Sequence, residues 1–341
     1  MLNKVIKEKL IQQAEKILDE SDKIVIISHV SPDGDAIGSS LGLYHFLVKL
    51  GKSANVLVPN SYPDFLHWLT GAGDITVGDK SPEMAQELID AADLIFCLDF
   101  NGLKRIDALG AVLEKASAKK ILIDHHLEPE SFCDVTISYP EISSTSELVF
   151  RFICRLGMFE MIDKTIAECI YTGMMTDTGA FTFNSNTPQI YFIISQLIEK
   201  GIDKDEIYDK VYNNYSESRI RLQGFVLYEK MKIYKEYNAS LITLSGEEQK
   251  QFQWKKGDTE GFVNIPLSID GVVFSVFIRE EKGVVRVSLR SKGSFPANKF
   301  SSDVFGGGGH LNAAGGEYYG SLEDAVALFE DALPKYKHLL L

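Results

Sequence analysis

Four short clusters of carboxylate and imidazole residues punctuate this chain. They are Ser28-His29-Val30-Ser31-Pro32-Asp33-Gly34-Asp35, Leu98-Asp99-Phe100, Asp124-His125-His126 and Thr176-Asp177-Thr178-Gly179. Each follows an apolar stretch, the position in which one rim of a parallel sheet collects ligands. Hard oxygen donors mixed with imidazole suit Mn²⁺, Mg²⁺ or Fe²⁺ better than a structural zinc, which prefers cysteine. Gly34 lets the backbone bend so that Asp33 and Asp35 can face one point. Adjacent imidazoles at the end of a strand point in different directions, so one of His125 and His126 can bind metal while the other faces a substrate. Asp124 can orient a ring from behind. Two divalent ions about 3.5–4 Å apart can bridge a water, lower its pKa from about 15.7 toward 7 and clamp phosphoryl oxygens for in-line attack. That is phosphoester hydrolysis, and it needs no serine or cysteine nucleophile.

Each cluster alone has an ordinary explanation. Pro-Asp-Gly-Asp is a common surface turn, and Asp99 or Asp177 could cap a helix. Four clusters sharing one rim make coincidence remote. Gly51-Lys52-Ser53 suggests a phosphate loop, but position 46 is Phe where that motif needs Gly. His45, His67 and His338 stand outside the clusters and read as helix or surface residues. Arg105, six residues past Asp99, could reach substrate or make a structural pair.

The elements that must position these residues alternate between strand and helix. Lys23–Ser28, Ala54–Val58, Leu94–Leu98 and Lys120–Ile123 read as short buried strands, and Ala36–Leu50 and Ser143–Leu156 as helices, the second opening on a Ser/Thr-rich cap. Such alternation predicts an α/β fold with a mainly parallel sheet flanked by helices. Thr187-Pro188 signals a helix start, and residues 188–215 read as a helical linker in which Tyr208, Tyr212 and Tyr215 pack rather than stack on bases. Beyond it, Val272–Arg279 and Gly283–Leu289 form a hairpin around Glu280-Glu281-Lys282, and a helix near Leu322–Tyr336 closes a smaller α+β unit. In that unit Gly306-Gly307-Gly308-Gly309-His310 frees the backbone to approach an anion, with a helix expected to begin near Leu311 and supply amide donors. Arg290-Ser291 offers a guanidinium fork for a terminal phosphate. Lys292 and Asn298 are weaker candidates.

Composition narrows the field. The 341 residues are long enough for two domains, and 45% hydrophobic content supports real cores. Mean hydropathy is −0.03, and no apolar run approaches the roughly 20 residues of a membrane helix. The first ten residues read as an amphipathic helix start and not as a secretory signal. Cys97, Cys133, Cys154 and Cys169 show no paired spacing, which points to reduced thiols and a cytoplasmic protein. Asn238-Ala239-Ser240 is then a chance glycosylation motif. A net charge of −13 argues against coating long nucleic acid and favours a short or single-nucleotide substrate.

The four motifs resemble those of the DHH phosphoesterase superfamily, and the glycine-rich tail, with Asn312-Ala313-Ala314-Gly315-Gly316, resembles its DHHA1 subdomain. The likeness spans about Lys23 to Gly316, and the layout is similar to that of the bacterial nanoRNase/3′-phosphoadenosine 5′-phosphate phosphatases. The resemblance implies a DHH catalytic domain over residues 1–187, the linker over 188–215 and a DHHA1 substrate-binding domain over 216–341. It implies that His29 and Asp33 hold one metal, that Asp35 and His125 hold the other, that Asp99 bridges both and that Asp177 completes the second site. Asp99, Asp124, His125 and His126 form the catalytic set, with His126 on the scissile phosphate or leaving group. Gly307, Gly308, Gly309, His310, Arg290 and Ser291 join His126 in binding substrate. The cofactor implied is a pair of divalent ions, Mn²⁺ ahead of Mg²⁺, Fe²⁺ or Co²⁺. The implied activity is hydrolysis of short 5′-phosphorylated oligoribonucleotides to mononucleotides, of 3′-phosphoadenosine 5′-phosphate to AMP, or of both. A cyclic or linear dinucleotide phosphodiesterase is the nearest alternative. An inorganic pyrophosphatase, a single-strand DNA exonuclease and a non-catalytic nucleotide-binding regulator stand further off. No duplex or membrane partner is expected, and a homodimer is compatible with the chain.

Overall fold

Strands buried on both faces need apolar side chains at every position, and Leu94-Ile95-Phe96-Cys97-Leu98 is such a run, with all five residues buried. The computed structural model describes residues 4–340. The chain divides after Asn214 into two compact units. The first contains α1 (Glu8–Asp19), β1 (Lys23–Ile27), α2 (Gly34–Lys49), β2 (Ser53–Val58), β3 (Thr76–Val77), α3 (Pro82–Ala91) and β4 (Leu94–Leu98). It continues with α4 (Leu109–Lys115), β5 (Lys119–Asp124), β6 (Val135–Ser138), α5 (Thr145–Arg155), α6 (Lys164–Asp177), α7 (Pro188–Glu199) and α8 (Lys204–Tyr212).

All six strands pair in parallel in the order β3-β2-β1-β4-β5-β6. Ile27 lies beside Cys97, and Leu98 beside Ile123, so the residues after β1, β4 and β5 emerge on one rim. The order reverses between β1 and β4, where connections leave in opposite directions and open a crevice outside the carboxyl ends of the strands. One sheet face packs through Ile24, Ile26 and Phe96 against Leu41 and Phe46 of α2, Phe152 of α5 and Ile170 of α6. The other face carries Val25, Ile27 and Ile95 against Ile89 of α3 and Leu113 of α4.

The stretch read as a linker is part of this unit. Thr187 and Pro188 open α7 as expected, but Ile190, Ile193 and Leu197 of α7 and Ile207 and Val211 of α8 are buried in its core. Apolar residues at helical spacing mark a helix without saying whether it spans a gap or packs. Tyr208 and Tyr212 pack with their rings tilted by 42° at 5.0 Å between centroids, whereas Tyr215 lies beyond α8, under the Arg219 guanidinium. At the amino end, residues 1–3 lie outside the described residues, and the helix begins only at Glu8. Among the described residues no helix is long and apolar enough to cross a membrane.

The second unit contains α9 (Glu217–Phe225), β7 (Lys232–Tyr234), β8 (Ala239–Leu244), α10 (Gly246–Gln251), β9 (Phe274–Glu281), β10 (Val284–Ser291), α11 (Ala297–Phe305), β11 (Gly308–His310), β12 (Ala313–Tyr318) and α12 (Leu322–Leu340). Its strands run β11-β12-β10-β9-β8-β7, antiparallel except for β8 with β9. The expected hairpin is β9–β10. One sheet face packs through Phe274, Val287 and Leu289 on Phe300 of α11 and Phe329 of α12. The other is partly covered by Leu222 of α9 and by Phe262.

Candidate metal centre

Three of the four polar clusters follow strands, as expected. His29 comes two residues after β1, Asp99 directly after β4, and Asp124 ends β5 with His125 and His126 beyond it. Asp177 does not follow a strand. It is the last residue of α6, whose mostly apolar run Cys169–Met175 is buried on all sides of the helix. Asp33 is the N-cap of α2 and accepts from the amides of Asp35 and Ala36, both at 3.0 Å. The Pro-Asp-Gly-Asp turn is thus a helix start that aims Asp35 inward.

The side chains converge. His29 Nε2 lies 3.4 Å from Asp99 Oδ2 and 3.9 Å from Asp33 Oδ1. His125 Nε2 lies 3.5 Å from Asp99 Oδ1, 3.7 Å from Asp177 Oδ2 and 4.0 Å from Asp35 Oδ2. Donor atoms of His29, Asp33 and Asp99 form one group within 4.8 Å of one another, and those of Asp35, His125 and Asp177 form another. Asp99 belongs to the first and turns its second oxygen toward the second. It leaves β4 with φ 65°, in the left-handed region that costs most residues about 1–2 kcal/mol. Asp tolerates that conformation best after Gly and Asn, and the kink turns the carboxylate back over the rim.

Backbone carbonyls fix both rings. His29 Nδ1 is 2.9 Å from the Val30 carbonyl, and His125 Nδ1 is 3.3 Å from that of Ile142. A carbonyl only accepts, so Nδ1 carries the proton and each Nε2 presents its lone pair to the carboxylates when the ring is neutral. That is the tautomer a cation requires. His126 is turned away from His125, their rings meeting edge to face at 5.0 Å, and its Nδ1 lies 2.8 Å from Asp124 Oδ1. Asp124 is fully buried and its second oxygen has no hydrogen-bond partner.

The electrostatics follow from four carboxylates facing two imidazoles. Burial, with Asp99 and Asp177 nearby, pushes Asp35 well above the usual carboxylate range. Burial raises Asp177 to about 6 against the pull of His125. Asp99 is held well below its ordinary range in spite of burial, because His125 and His29 face it. Burial opposes charge on His125, but Asp177, Asp99 and Asp35 outweigh it and raise the ring well above its normal value. Excess negative charge with oxygen donors and Nε2 lone pairs converging is a donor set that fits hard divalent cations.

One part of the site went unread in the sequence. The start of α5 grips the cluster. The Thr145 amide donates to Asp35 Oδ2 at 2.6 Å, the Ser146 amide donates to Asp35 Oδ1 at 2.9 Å, and the Thr145 hydroxyl donates to Asp99 Oδ1 at 2.9 Å. Ser144 caps this helix through the Glu147 amide, and Glu147, itself buried, is held by Ser143 and Arg151. The run Ser143-Ser144-Thr145-Ser146-Glu147 carried a cap signal, but nothing in it named two aspartates as acceptors. Gly173 makes the approach feasible. A Cβ there would stand 1.9 Å from Ser146 Oγ and 2.9 Å from Asp35 Oδ1, so α6 closes on α5 and α2 only without a side chain.

The remaining sequence candidates lie in the second unit. His310, Ala313 and Arg290 occupy one rung across β11, β12 and β10, on the face opposite Leu289 and Ala314. The small Ala313 stands between them in the rung, and Arg290 Nη1 donates to the Leu289 carbonyl at 2.9 Å. Ser291 does not join them. It is buried on the other face, donating to the Phe295 carbonyl at 2.8 Å and accepting from Asn312. Nor does a helix begin at Leu311, since Gly308–His310 pairs with Ala313–Gly315 as a hairpin. The glycines serve that pairing. A Cβ on Gly307 would meet the Gly315 carbonyl at 2.0 Å, and Gly309 has φ 137° with the Ala313 carbonyl 2.5 Å from where its Cβ would be.

Comparison with known proteins agrees with this geometry. Residues 23–174 match the model of the DHH family N-terminal domain, and residues 231–335 match that of the DHHA1 domain. The bifunctional oligoribonuclease and PAP phosphatase NrnA of Thermus thermophilus is 32% identical over 90% of this chain and 88% of that protein. Its Bacillus subtilis namesake is 26% identical over 91% of this chain and 93% of its own length. The crystal structure of an exopolyphosphatase-related protein from Bacteroides fragilis superposes with a TM-score of 0.95 at 61% identity, covering 99% of both chains.

Proposed function

The chain belongs to the DHH phosphoesterase family and is a hydrolase of phosphoester bonds, and we propose that its substrates are short 5′-phosphorylated oligoribonucleotides, cut to mononucleotides, together with 3′-phosphoadenosine 5′-phosphate, converted to AMP. The observation that carries the reading is Asp99, one buried carboxylate whose two oxygens face two imidazoles fixed in the ligand tautomer. His29, Asp33 and Asp99 would hold one divalent cation, and Asp35, His125 and Asp177 the other, with Asp99 shared between them. When bound, such cations supply an activated water and neutralise charge on the phosphoryl group, and Mn²⁺ suits this mixed oxygen and imidazole set.

The chain's own groups set the geometry around that chemistry. Thr145 and the α5 amides hold Asp99 and Asp35 in place. Asp124 accepts the Nδ1 proton of His126 and so directs its Nε2 outward, toward a phosphoryl or leaving-group oxygen. In the second unit Arg290 and His310 bind a phosphate.

A substrate panel with Mn²⁺ tests the reading: 5′-phosphorylated di- to pentanucleotides, 3′-phosphoadenosine 5′-phosphate, cyclic di-AMP and pyrophosphate. Mononucleotides from the oligomers and AMP from the bisphosphate are expected. Turnover confined to cyclic di-AMP or pyrophosphate would overturn the substrate assignment.

A further inference from the structure

Arg105 lies in the short turn Leu103–Ile106 that follows Asp99. Its main chain has a structural task, since the Arg105 carbonyl accepts from the Val30 amide at 2.7 Å and ties this turn to the residue after His29. Any residue could provide that bond. The side chain does something else. Its Nε is buried without a hydrogen-bond partner, and its guanidinium makes no ion pair among the described residues.

An unpaired guanidinium on a turn that follows Asp99 and is tied to the residue after His29 is unusual, because arginine ordinarily pairs with whichever carboxylate is in reach. Here the carboxylates are committed. Asp33 caps α2, Asp35 receives the α5 amides, and Asp99 faces Thr145 and both imidazoles. A buried donor left open costs free energy unless a ligand satisfies it. Arg105 as a whole is half-buried, so an anion with oxygen acceptors that reaches this rim can pair with the guanidinium.

We propose that Arg105 binds the phosphoryl group undergoing hydrolysis, its planar fork taking non-bridging oxygens at the metal centre. This rests on the phosphoesterase reading of the site and adds a protein cation to it. The fork matches a phosphate in two parallel hydrogen bonds, which a lysine ammonium cannot reproduce.

The test uses inorganic phosphate as probe. Its affinity is measured by titration calorimetry on the full-length, Mn²⁺-loaded protein, with Mn²⁺ affinity determined on the same preparations. Arg105→Gln is expected to weaken phosphate about 10- to 100-fold, the range for a hydrogen bond to a charged group, with Mn²⁺ affinity within about twofold of wild type. Arg105→Lys keeps the charge and loses the fork, so it should weaken phosphate at least about fivefold. It also decides the matter if the glutamine variant does not fold. Wild-type phosphate affinity in either folded variant, or no phosphate binding by the wild type, would overturn the assignment. The substrate panel is independent of this. Phosphate binding that depends on Arg105 in an enzyme inactive on oligoribonucleotides would sink the substrate reading and keep Arg105.

Discussion

Thr145 is the sharpest place to probe the centre, because one atom can be removed there almost cleanly. The side chain is fully buried, and its hydroxyl donates to Asp99 Oδ1 at 2.9 Å. Valine has the same shape without the donor, and the Thr145 amide still reaches Asp35. Thr145→Val therefore deletes one charge-assisted hydrogen bond to the carboxylate that both imidazoles face. Such bonds contribute about 1.5–3 kcal/mol. Losing a partner that orients a metal ligand typically costs 10- to 100-fold in metal affinity, or about 1.4–2.8 kcal/mol. The two estimates agree, so Mn²⁺ should bind Thr145→Val about 10- to 100-fold more weakly than wild type, while Thr145→Ser, which keeps the hydroxyl, should stay within about threefold. Calorimetric titration of the chelator-stripped protein measures this. The electron paramagnetic resonance spectrum of bound Mn²⁺ adds a signature that general destabilisation would not produce, namely loss of exchange coupling between two ions. Wild-type Mn²⁺ affinity in a folded Thr145→Val protein would refute the argument. Equal weakening in both variants would assign the effect to packing.

Asp99→Ala should abolish turnover of every phosphoester substrate while circular dichroism stays native, and a folded variant with wild-type rates would remove Asp99 from the centre. The gain in melting temperature on adding Mn²⁺ should be larger at pH 8 than at pH 5.5. His29 and His125 have raised values, so their charged forms stabilise the metal-free fold below about 6.5, and that contribution is lost as pH rises through the folded values. Asp35 and Asp177 are also raised, Asp177 to about 6, so the unfolded chain ionises first and the metal-free fold weakens as pH climbs from the usual carboxylate range up to that value, the last part of which falls above pH 5.5. Protons also compete with Mn²⁺ for these groups at the lower pH. A gain independent of pH in scanning fluorimetry would contradict both effects. Arg290→Ala should raise KM for 5′-phosphorylated dinucleotides about tenfold or more with a smaller change in kcat, and steady-state kinetics showing an unchanged KM would dismiss it as a phosphate grip.

Parts of this molecule could be read before any coordinates. The bounds of β4 coincide with the apolar run Leu94–Leu98 because a parallel strand covered on both faces leaves no room for polar residues. The same logic marked Ile121-Leu122-Ile123 and so placed the Asp124-His125-His126 cluster at a strand end. It misled at Asp177, since a helix buried on all sides, as α6 is over Cys169–Met175, also reads as a continuous, mostly apolar run. β3 and β6 were invisible because two and four residues are too few to show a period. Gly306–His310 looked like an anion cradle before a helix, whereas its glycines permit close pairing with a strand that begins three residues later. The grip of α5 on Asp35 runs mostly through main-chain amides, which have no residue signature, across a sequence separation of 110 residues.

The start of α5 also explains how so much negative charge can be gathered on one rim. Two helices begin there, α2 at Asp33 and α5 at Ser144, and each directs its unpaired amides and the positive end of its dipole at a carboxylate of the centre. Those amides offset part of the repulsion among Asp33, Asp35, Asp99 and Asp177, yet Asp35 and Asp177 still sit above their ordinary range. The offset is therefore partial, and what remains is the driving force for taking up cations. Two divalent cations would balance the four carboxylates and remove that repulsion, while the surrounding chain keeps its net charge of −13. An anionic substrate would then meet no net repulsion at the centre itself, where its oxygens could contact the cations. A net charge of −13 would repel each further phosphate held away from the centre, which on the proposed reading favours a dinucleotide over a long strand.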